Sequence, residues 1–264
     1  MSSLPAGIPL VDTHAHLCDP GFDPDRDAVL ERARGAGVQW IVAVGETLVD
    51  AGRNLELAQE YPDVVRPAAG LFPTRLDLEQ AEAVIELIRR ERGRLVAIGE
   101  VGLDYWKVQG EAERELQQEI LGRFVEVAQQ VDLPLNVHSR AAGRQTIDLL
   151  IQRGAKKVQL HAFDGRPAKA LPGVEAGYFF SVPPSVVRSR QKQKLVRRLP
   201  LSCLLLETDS PVLGPEPSER NEPANLPRAL LAICEIKGLA PEQAAAALAD
   251  NTRRLYQNRG SGPS

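Results

Sequence analysis

Eight short apolar runs, separated by longer amphipathic stretches, restrict the fold more than any other feature of this chain. They are IPLVDTH (8–14), WIVAVG (40–45), VRPAAGLF (65–72), LVAIGEVG (95–102), LPLNVHS (133–139), KVQLHAF (157–163), GYFFSV (177–182) and CLLLETD (203–209). Each is apolar almost throughout rather than alternating, the pattern of strands buried on both faces in a parallel sheet. Parallel neighbours need crossovers, and the intervening segments read as helices. Asp23 before Pro24 reads as an N-cap with proline at the first helical position, opening a helix that runs to Gly35 or Gly37. Residues 79–92 place Ala81, Ile85 and Ile88 on one face, with Gly93 as the stop. Over 111–131, Leu116, Ile120, Phe124, Val127 and Val131 recur at three- and four-residue steps. Residues 185–199 and 241–256 also read as helices. Eight βα units in 264 residues predict one α/β domain, a closed (β/α)8 barrel, with a doubly wound open sheet as the alternative. The proline-rich stretch 214–227 is expected to form an ordered loop over the barrel mouth, and the end from about 258, NRGSGPS, a disordered tail.

Composition narrows the function classes. A net charge of −3 and a pI near 5.9 mean that the molecule as a whole does not attract a polyanion, so binding to nucleic acid needs a local patch or bound cations. The three cysteines, Cys18, Cys203 and Cys234, are scattered and odd in number, which argues against a disulfide framework. No signal peptide and no run long enough to span a membrane is visible. The expectation is a cytoplasmic protein, with the nucleus also open, no membrane association and no obligatory protein partner.

The chemistry is concentrated where the predicted strands finish. In VDTHAH, Asp12, His14 and His16 alternate with Val11, Thr13 and Ala15, and residues two apart on a strand share a face. His14 and His16 can therefore present two imidazoles to one cation. The other histidines, His138 and His161, end the fifth and sixth strands; Glu100 ends the fourth and Asp209 the eighth. In a barrel those ends converge on one face. A carboxylate closing an apolar run is costly unless it is paired, and a cation removes that cost. The set His14, His16, Glu100, His138, His161 and Asp209 offers mixed nitrogen and oxygen ligands for two divalent ions, with Glu100 as the bridge. Zinc suits the imidazoles; magnesium or manganese suits the carboxylates. Two such ions would activate water and clamp a phosphoryl centre, with Asp209 as general base. Glu207, two residues before Asp209, is expected to orient a ligand rather than bind metal.

VDTHAHL, IGEVGLDY, NVHSR, HAFDG, LLLETDSPVL and RNEPAN, in this order, resemble the successive motifs of the TatD-related metal-dependent deoxyribonucleases, most closely the third paralogue group of animals. The likeness runs from about residue 8 to 256. It implies an amidohydrolase-type TIM barrel, phosphodiester hydrolysis and 3′-to-5′ removal of nucleotides from DNA, single-stranded or at 3′ ends. It carries metal ligation onto the same six residues. Arg140, Arg220 and Asn221 match motif positions that would contact phosphate. The chain departs from the pattern at Phe72, where many relatives carry histidine, and at Asp164, where a small polar residue is common. These departures keep open another scissile bond on the same barrel: the ester of a misacylated tRNA, an amide or a small phosphate ester.

Three further features invite a functional reading beside a structural one. The run RSRQKQKLVRR (188–198) is expected to be the solvated face of a helix, with only Arg188 and Arg190 near the mouth. Tyr105 and Trp106 can stack on a nucleobase or cap the barrel. Cys18 is expected to be a small buried residue rather than a ligand.

Overall fold

The computed structural model describes residues 8–256; the expected C-terminal tail lies outside them. Eight parallel strands follow one another around a single sheet in chain order: β1 (Leu10–Ala15), β2 (Val38–Ala43), β3 (Val65–Ala69), β4 (Ala97–Gly102), β5 (Leu135–His138), β6 (Val158–Leu160), β7 (Phe179–Val182) and β8 (Leu204–Leu206). Strand order without a reversal rules out the doubly wound sheet. Helices α1 (Arg26–Gly35), α2 (Leu48–Glu60), α3 (Leu78–Glu91), α4 (Glu111–Val131), α5 (Gly143–Gln152), α6 (Pro167–Glu175), α7 (Arg190–Arg198), α8 (Leu226–Lys237) and α9 (Pro241–Tyr256) surround it. Among the described residues, no helix is long and apolar enough to cross a membrane.

The barrel closes through a seam between β8 and β1 that side chains help to make. Thr13 Oγ1 donates to the Leu206 carbonyl at 2.8 Å. Beyond the strand ends, the Asp209 amide donates to the His14 carbonyl and the His16 amide to the Ser210 carbonyl, each at 2.8 Å. Asp12 ties the same edges together, accepting from the Thr208 amide at 2.8 Å and from its hydroxyl at 2.5 Å. Six of these eight residues are predicted ligands or their chain neighbours, so the seam that closes the fold also fixes the site.

The helices bury the faces that the sequence periodicity marks. α4 covers the sheet with Ile120, Phe124 and Val127, all buried, while Leu116 and Val131 pack at its margins. α3 starts one residue before the expected helix, because the Asp77 carboxylate caps it, accepting from the Glu79 and Gln80 amides at 2.9 and 3.1 Å. The predicted start of the first helix is corrected. Pro20–Phe22 form a 3-10 turn capped by Asp19, and α1 begins only at Arg26 with Asp25 as its N-cap. Asp23 is drawn instead into an ion pair with Arg26 at 2.6 Å. The predicted helix over 185–199 is two pieces, a 3-10 turn at Pro184–Val187 and α7.

Glycine allows β4 to approach its neighbours at the site. A Cβ on Gly102, which has φ +152°, would stand 2.0 Å from the His138 carbonyl oxygen, and one on Gly70 would stand 2.5 Å from the Glu100 carbonyl oxygen. No side chain fits at either place while Glu100 and His138 hold their positions.

Candidate metal centre

The six predicted ligands come from β1, β4, β5, β6 and the turn after β8, and the structure brings all six together at the carboxyl end of the barrel. His14 lies inside β1 and His16 just past it; Glu100 is inside β4, His138 closes β5, and His161 follows β6 directly. Asp209 stands three residues beyond β8 at φ +56°, a left-handed conformation that turns its carboxylate toward the histidines.

Glu100 divides the cluster into two sides. Its Oε2 faces His16 Nε2 at 3.3 Å and His14 Nε2 at 3.8 Å. Its Oε1 faces His138 Nδ1 at 2.7 Å and His161 Nε2 at 2.9 Å. On the first side, His14 Nε2, His16 Nε2 and Asp209 Oδ1 lie 3.3, 3.4 and 3.5 Å apart. Donors on a tetrahedral zinc, bonded at about 2.0–2.2 Å, stand about 3.3–3.6 Å from one another. The donor set of the first side therefore fits a divalent cation in both chemistry and spacing. On the second side, His138 Nδ1 and His161 Nε2 are 3.2 Å apart and both press on Glu100, closer than that spacing.

Charge explains how these groups hold together. Burial alone would raise the Glu100 carboxyl, but the His161 charge and hydrogen bonds from His138, His16 and His161 hold it well below the usual carboxylate range. Burial alone would lower His14 and His16; hydrogen bonds to Asp209, joined at His16 by one to Glu100, and the charges of both acids raise them instead. Burial likewise opposes the charge on His138, but Asp104 and Glu100 push its pKa up to about 9. Asp209 is held low by His14 and His16 despite its burial.

Below the ligands lies a layer of polar side chains that sequence reasoning missed, Glu207 excepted. His14 Nδ1 donates to Asn136 Oδ1 at 2.8 Å, which fixes the tautomer that leaves Nε2 free. Asn136 Nδ2 donates to the Thr13 carbonyl at 2.9 Å. Tyr256, from α9, donates to Gln159 Oε1 at 2.5 Å; Gln159 Nε2 donates to Ser181 Oγ at 2.8 Å, and Ser181 Oγ to Glu207 Oε2 at 2.6 Å. Glu207 Oε1 accepts the Ala162 amide at 2.8 Å, beside His161. Asp104 turns His138, with Oδ2 at 3.1 Å from Nε2. A signal for this layer was present. Asp12, Asn136, Gln159 and Glu207 each stand two residues before a predicted ligand, the spacing that keeps side chains on one face of a strand.

Above the ligands opens a cavity of about 410 Å³. Arg140 lines it, with its guanidinium 3.8 Å from the centre of the Trp106 ring. Trp106 is exposed, whereas Tyr105 packs against the core and accepts from Gln118 through its hydroxyl at 2.9 Å. Phe72 forms an apolar wall, edge-on to His138 at 5.0 Å between ring centres. Asp164 also lines the cavity, but its Oδ2 accepts the Ala141 amide at 3.1 Å and so clamps a loop. Cys18 is half-buried outside both ligand groups, and burial pushes its thiol up to about 12.

Arg220 and Asn221, expected to contact phosphate, do not line the cavity. Arg220 pairs with Asp25 at 2.6 Å, bonds the Gly21 carbonyl and lies over the Phe22 ring. Asn221 is buried and donates to the Thr208 and Val212 carbonyls at 2.8 and 2.7 Å. Together with the 2.6 Å Arg32–Glu222 pair, these contacts fasten the second half of the 214–227 segment to α1, so Val212 and Leu213 reach the mouth but the proline-rich stretch does not. In the basic run, Arg188 is engaged by the Gly214 carbonyl at 3.2 Å and Arg190 is exposed; it is Lys192 that lines the cavity.

The sequence and the fold have counterparts among known proteins. The chain is 45% identical to human deoxyribonuclease TATDN3 over 262 residues, covering 95% of this chain and 96% of that protein. It is 32% identical to the uncharacterized metal-dependent hydrolase YabD of Bacillus subtilis, covering 94% and 99% of the two. The crystal structure of YJJV, a TatD homologue from Escherichia coli, superposes with a TM-score of 0.86 at 30% identity, covering 94% of this chain and 98% of that one. With the model of the TatD related DNase family matching residues 11–257, a span that contains every ligand position just described, the chain belongs to that family.

Proposed function

We propose that the protein is a divalent-metal-dependent phosphodiesterase that removes nucleotides from the 3′ end of DNA and holds two cations per subunit. Glu100 carries this reading, because its two oxygens face two separate groups of imidazoles. One cation would sit among His14, His16, Asp209 and Glu100, the other among Glu100, His138 and His161. The imidazole-rich donor set favours zinc, with magnesium or manganese as the alternative. When bound, such ions supply Lewis acidity and water acidified toward neutrality. The names of the relatives, a human deoxyribonuclease and a bacterial metal-dependent hydrolase, support the assignment.

The chain's own groups supply the rest. Asp209 turns Oδ1 to the histidines, which leaves Oδ2 to accept a proton from the attacking water. Asn136 and Asp104 keep His14 and His138 turned inward. Arg140, braced on Trp106, can grip a phosphate oxygen at the mouth. Phe72 keeps one wall of the cavity dry.

Phe72 also favours a second reading. An apolar wall against His138 suits a small ester as well as a nucleotide. The test is a substrate panel on protein stripped with chelator and reloaded with zinc, magnesium or manganese. Single-stranded DNA labelled at its 5′ end should shorten stepwise from the 3′ end, only after reloading. If DNA ranks last by kcat/KM behind a small phosphate ester, an amide and a misacylated-tRNA ester, the first reading fails.

A further inference from the structure

Lys192 breaks two physical rules at once. It lies in the first turn of α7, where the helix dipole is positive and disfavours a cation, in a turn that contains no acidic residue. It is also only 9% exposed. Among the described residues, its ammonium has one hydrogen bond, to the Ala162 carbonyl at 2.9 Å, and no carboxylate within ion-pairing distance. A buried cation is costly unless it is paired, and a neutral carbonyl does not pair it. The unpaired ammonium lines the cavity over the metal centre. Burial pushes its pKa down, while the more distant charges of Glu207, Asp209 and Asp164 push it back up.

Uncompensated cost of this kind marks a functional position. The group that would relieve it is an anion entering the cavity, and the electropositive end of α7, with Ser189 as its N-cap, favours the same charge. Arg140 is the other lysine or arginine among the described residues that line the cavity and enters from the turn after β5, whereas Lys192 enters from beyond β7. The two thus flank the imidazoles from different sides, as a ligand with two phosphates requires. We propose that Lys192 is a substrate-binding residue that grips the phosphate next to the scissile one. The identity of the anion rests on the phosphodiesterase reading; the demand for an anion does not.

The rival role for Lys192 is structural. Its neighbour Gln191 donates to the Phe163 and Gly165 carbonyls at 3.2 and 2.7 Å, so this turn of α7 also clasps the loop after β6. Thermal stability separates the two roles. If Lys192 is there for an anion, Lys192→Met removes an unpaired buried charge and the free protein melts no lower than wild type. If it is a clasp, the variant melts lower.

The experiment measures binding by calorimetry on zinc-loaded protein with Asp209→Asn as the background, which slows turnover. The probes are the thymidine dinucleotide with and without a 5′-phosphate. The phosphorylated form should bind about tenfold more tightly, the scale of one charge-assisted hydrogen bond. Lys192→Met should abolish that preference with metal content and melting temperature intact, and Lys192→Arg should keep most of it. An undiminished preference in Lys192→Met, or no preference in the background protein, overturns the proposal. So does a preference lost together with metal or melting temperature while Lys192→Arg fails as well. Absence of DNA cleavage by the wild type, with the phosphate preference and its loss still observed, would instead reject the nuclease reading and leave the anion site standing.

Discussion

The two sides of Glu100 use the same ligand chemistry but are built differently. On the first side, the chain holds the candidate ligands at coordination spacing. His14 is locked by Asn136, and the backbone bonds Asp209 N to His14 O and His16 N to Ser210 O splice the ligands into the barrel seam. The second side is tied by backbone too, the His161 amide donating to the Val137 carbonyl at 3.0 Å and the Leu103 amide to the His138 carbonyl at 3.1 Å, but its rings stand differently. His138 and His161 stand against Glu100 at 2.7 and 2.9 Å, and among the described residues His161 Nδ1 has no hydrogen-bond partner, with Glu207 Oε2 3.8 Å away. The contrast lies in the side chains: on the first side the ring nitrogens and Asp209 stand at coordination spacing from one another, whereas on the second both rings pair with the shared carboxylate. The first side should therefore fill first and more tightly, and the second should require its ligands to part.

The largest effect that bears on this contrast belongs to the residue the two sides share. Glu100→Gln keeps the shape but removes the charge from both. Metal content should fall on both sides, and activity should drop at least on the order of 10³-fold, the scale of losing a principal catalytic group. Elemental analysis beside initial rates checks this. Retention of one full metal equivalent would mean that Glu100 serves only one side.

Next come the supports, which should separate the sides. Asn136→Ala leaves His14 Nδ1 without its acceptor and should weaken the first metal equivalent about 10- to 100-fold. It also strips the Thr13 carbonyl of a buried donor, which should cost about 1–3 kcal/mol of stability. Asp104→Asn should weaken only the second equivalent, by the same 10- to 100-fold factor. Stepwise titration of chelated protein against a chromophoric chelator resolves the two. If either variant weakens both equivalents alike, the sides are one cooperative unit and the contrast is wrong.

This contrast also shows where the sequence stops being legible. The convergence of the six candidate ligands could be read because each interrupts or closes an apolar strand, and a charged or imidazole group there needs a reason. The supporting layer was harder, since Asn136 and Gln159 are neutral and look like ordinary strand breaks in a pattern. Only the two-residue offset from a ligand marks them, and that offset acquires meaning once the strands are known to point both groups inward. Arg220 and Asn221 matched a motif, but motif position fixes backbone location and not the partner a long side chain selects; Asp25 and two carbonyls claimed them. Asp23 failed as a cap for the same reason, because Arg26 competes for it. Lys192 was hidden by its neighbours: in a run of six basic residues, helical phase decides which one points into the barrel, and the break into a 3-10 turn before α7 shifts that phase.

The smallest effect is a pH dependence, and it tests whether the second side is held by charge. Both ring nitrogens of His138 face carboxylates, Nδ1 toward Glu100 and Nε2 toward Asp104. Both can donate only in the imidazolium form. Accordingly its pKa rises from 6.5 to about 9, because the Asp104 and Glu100 hydrogen bonds outweigh burial. A histidine whose folded pKa is raised stabilises the fold fully below its unfolded value and loses that contribution as pH climbs through the folded one. Chelated protein should thus lose stability to urea between pH 6.5 and about 9. Asp104→Asn should move this decline to lower pH, since one of the two carboxylates retaining the proton is gone. Metal-loaded protein should lack the decline, because coordination replaces the Nδ1 proton and makes metal uptake release protons instead. A urea midpoint that stays flat or rises across this window in chelated protein would mean that His138 is already neutral there, and that the second side is set by the chain as firmly as the first.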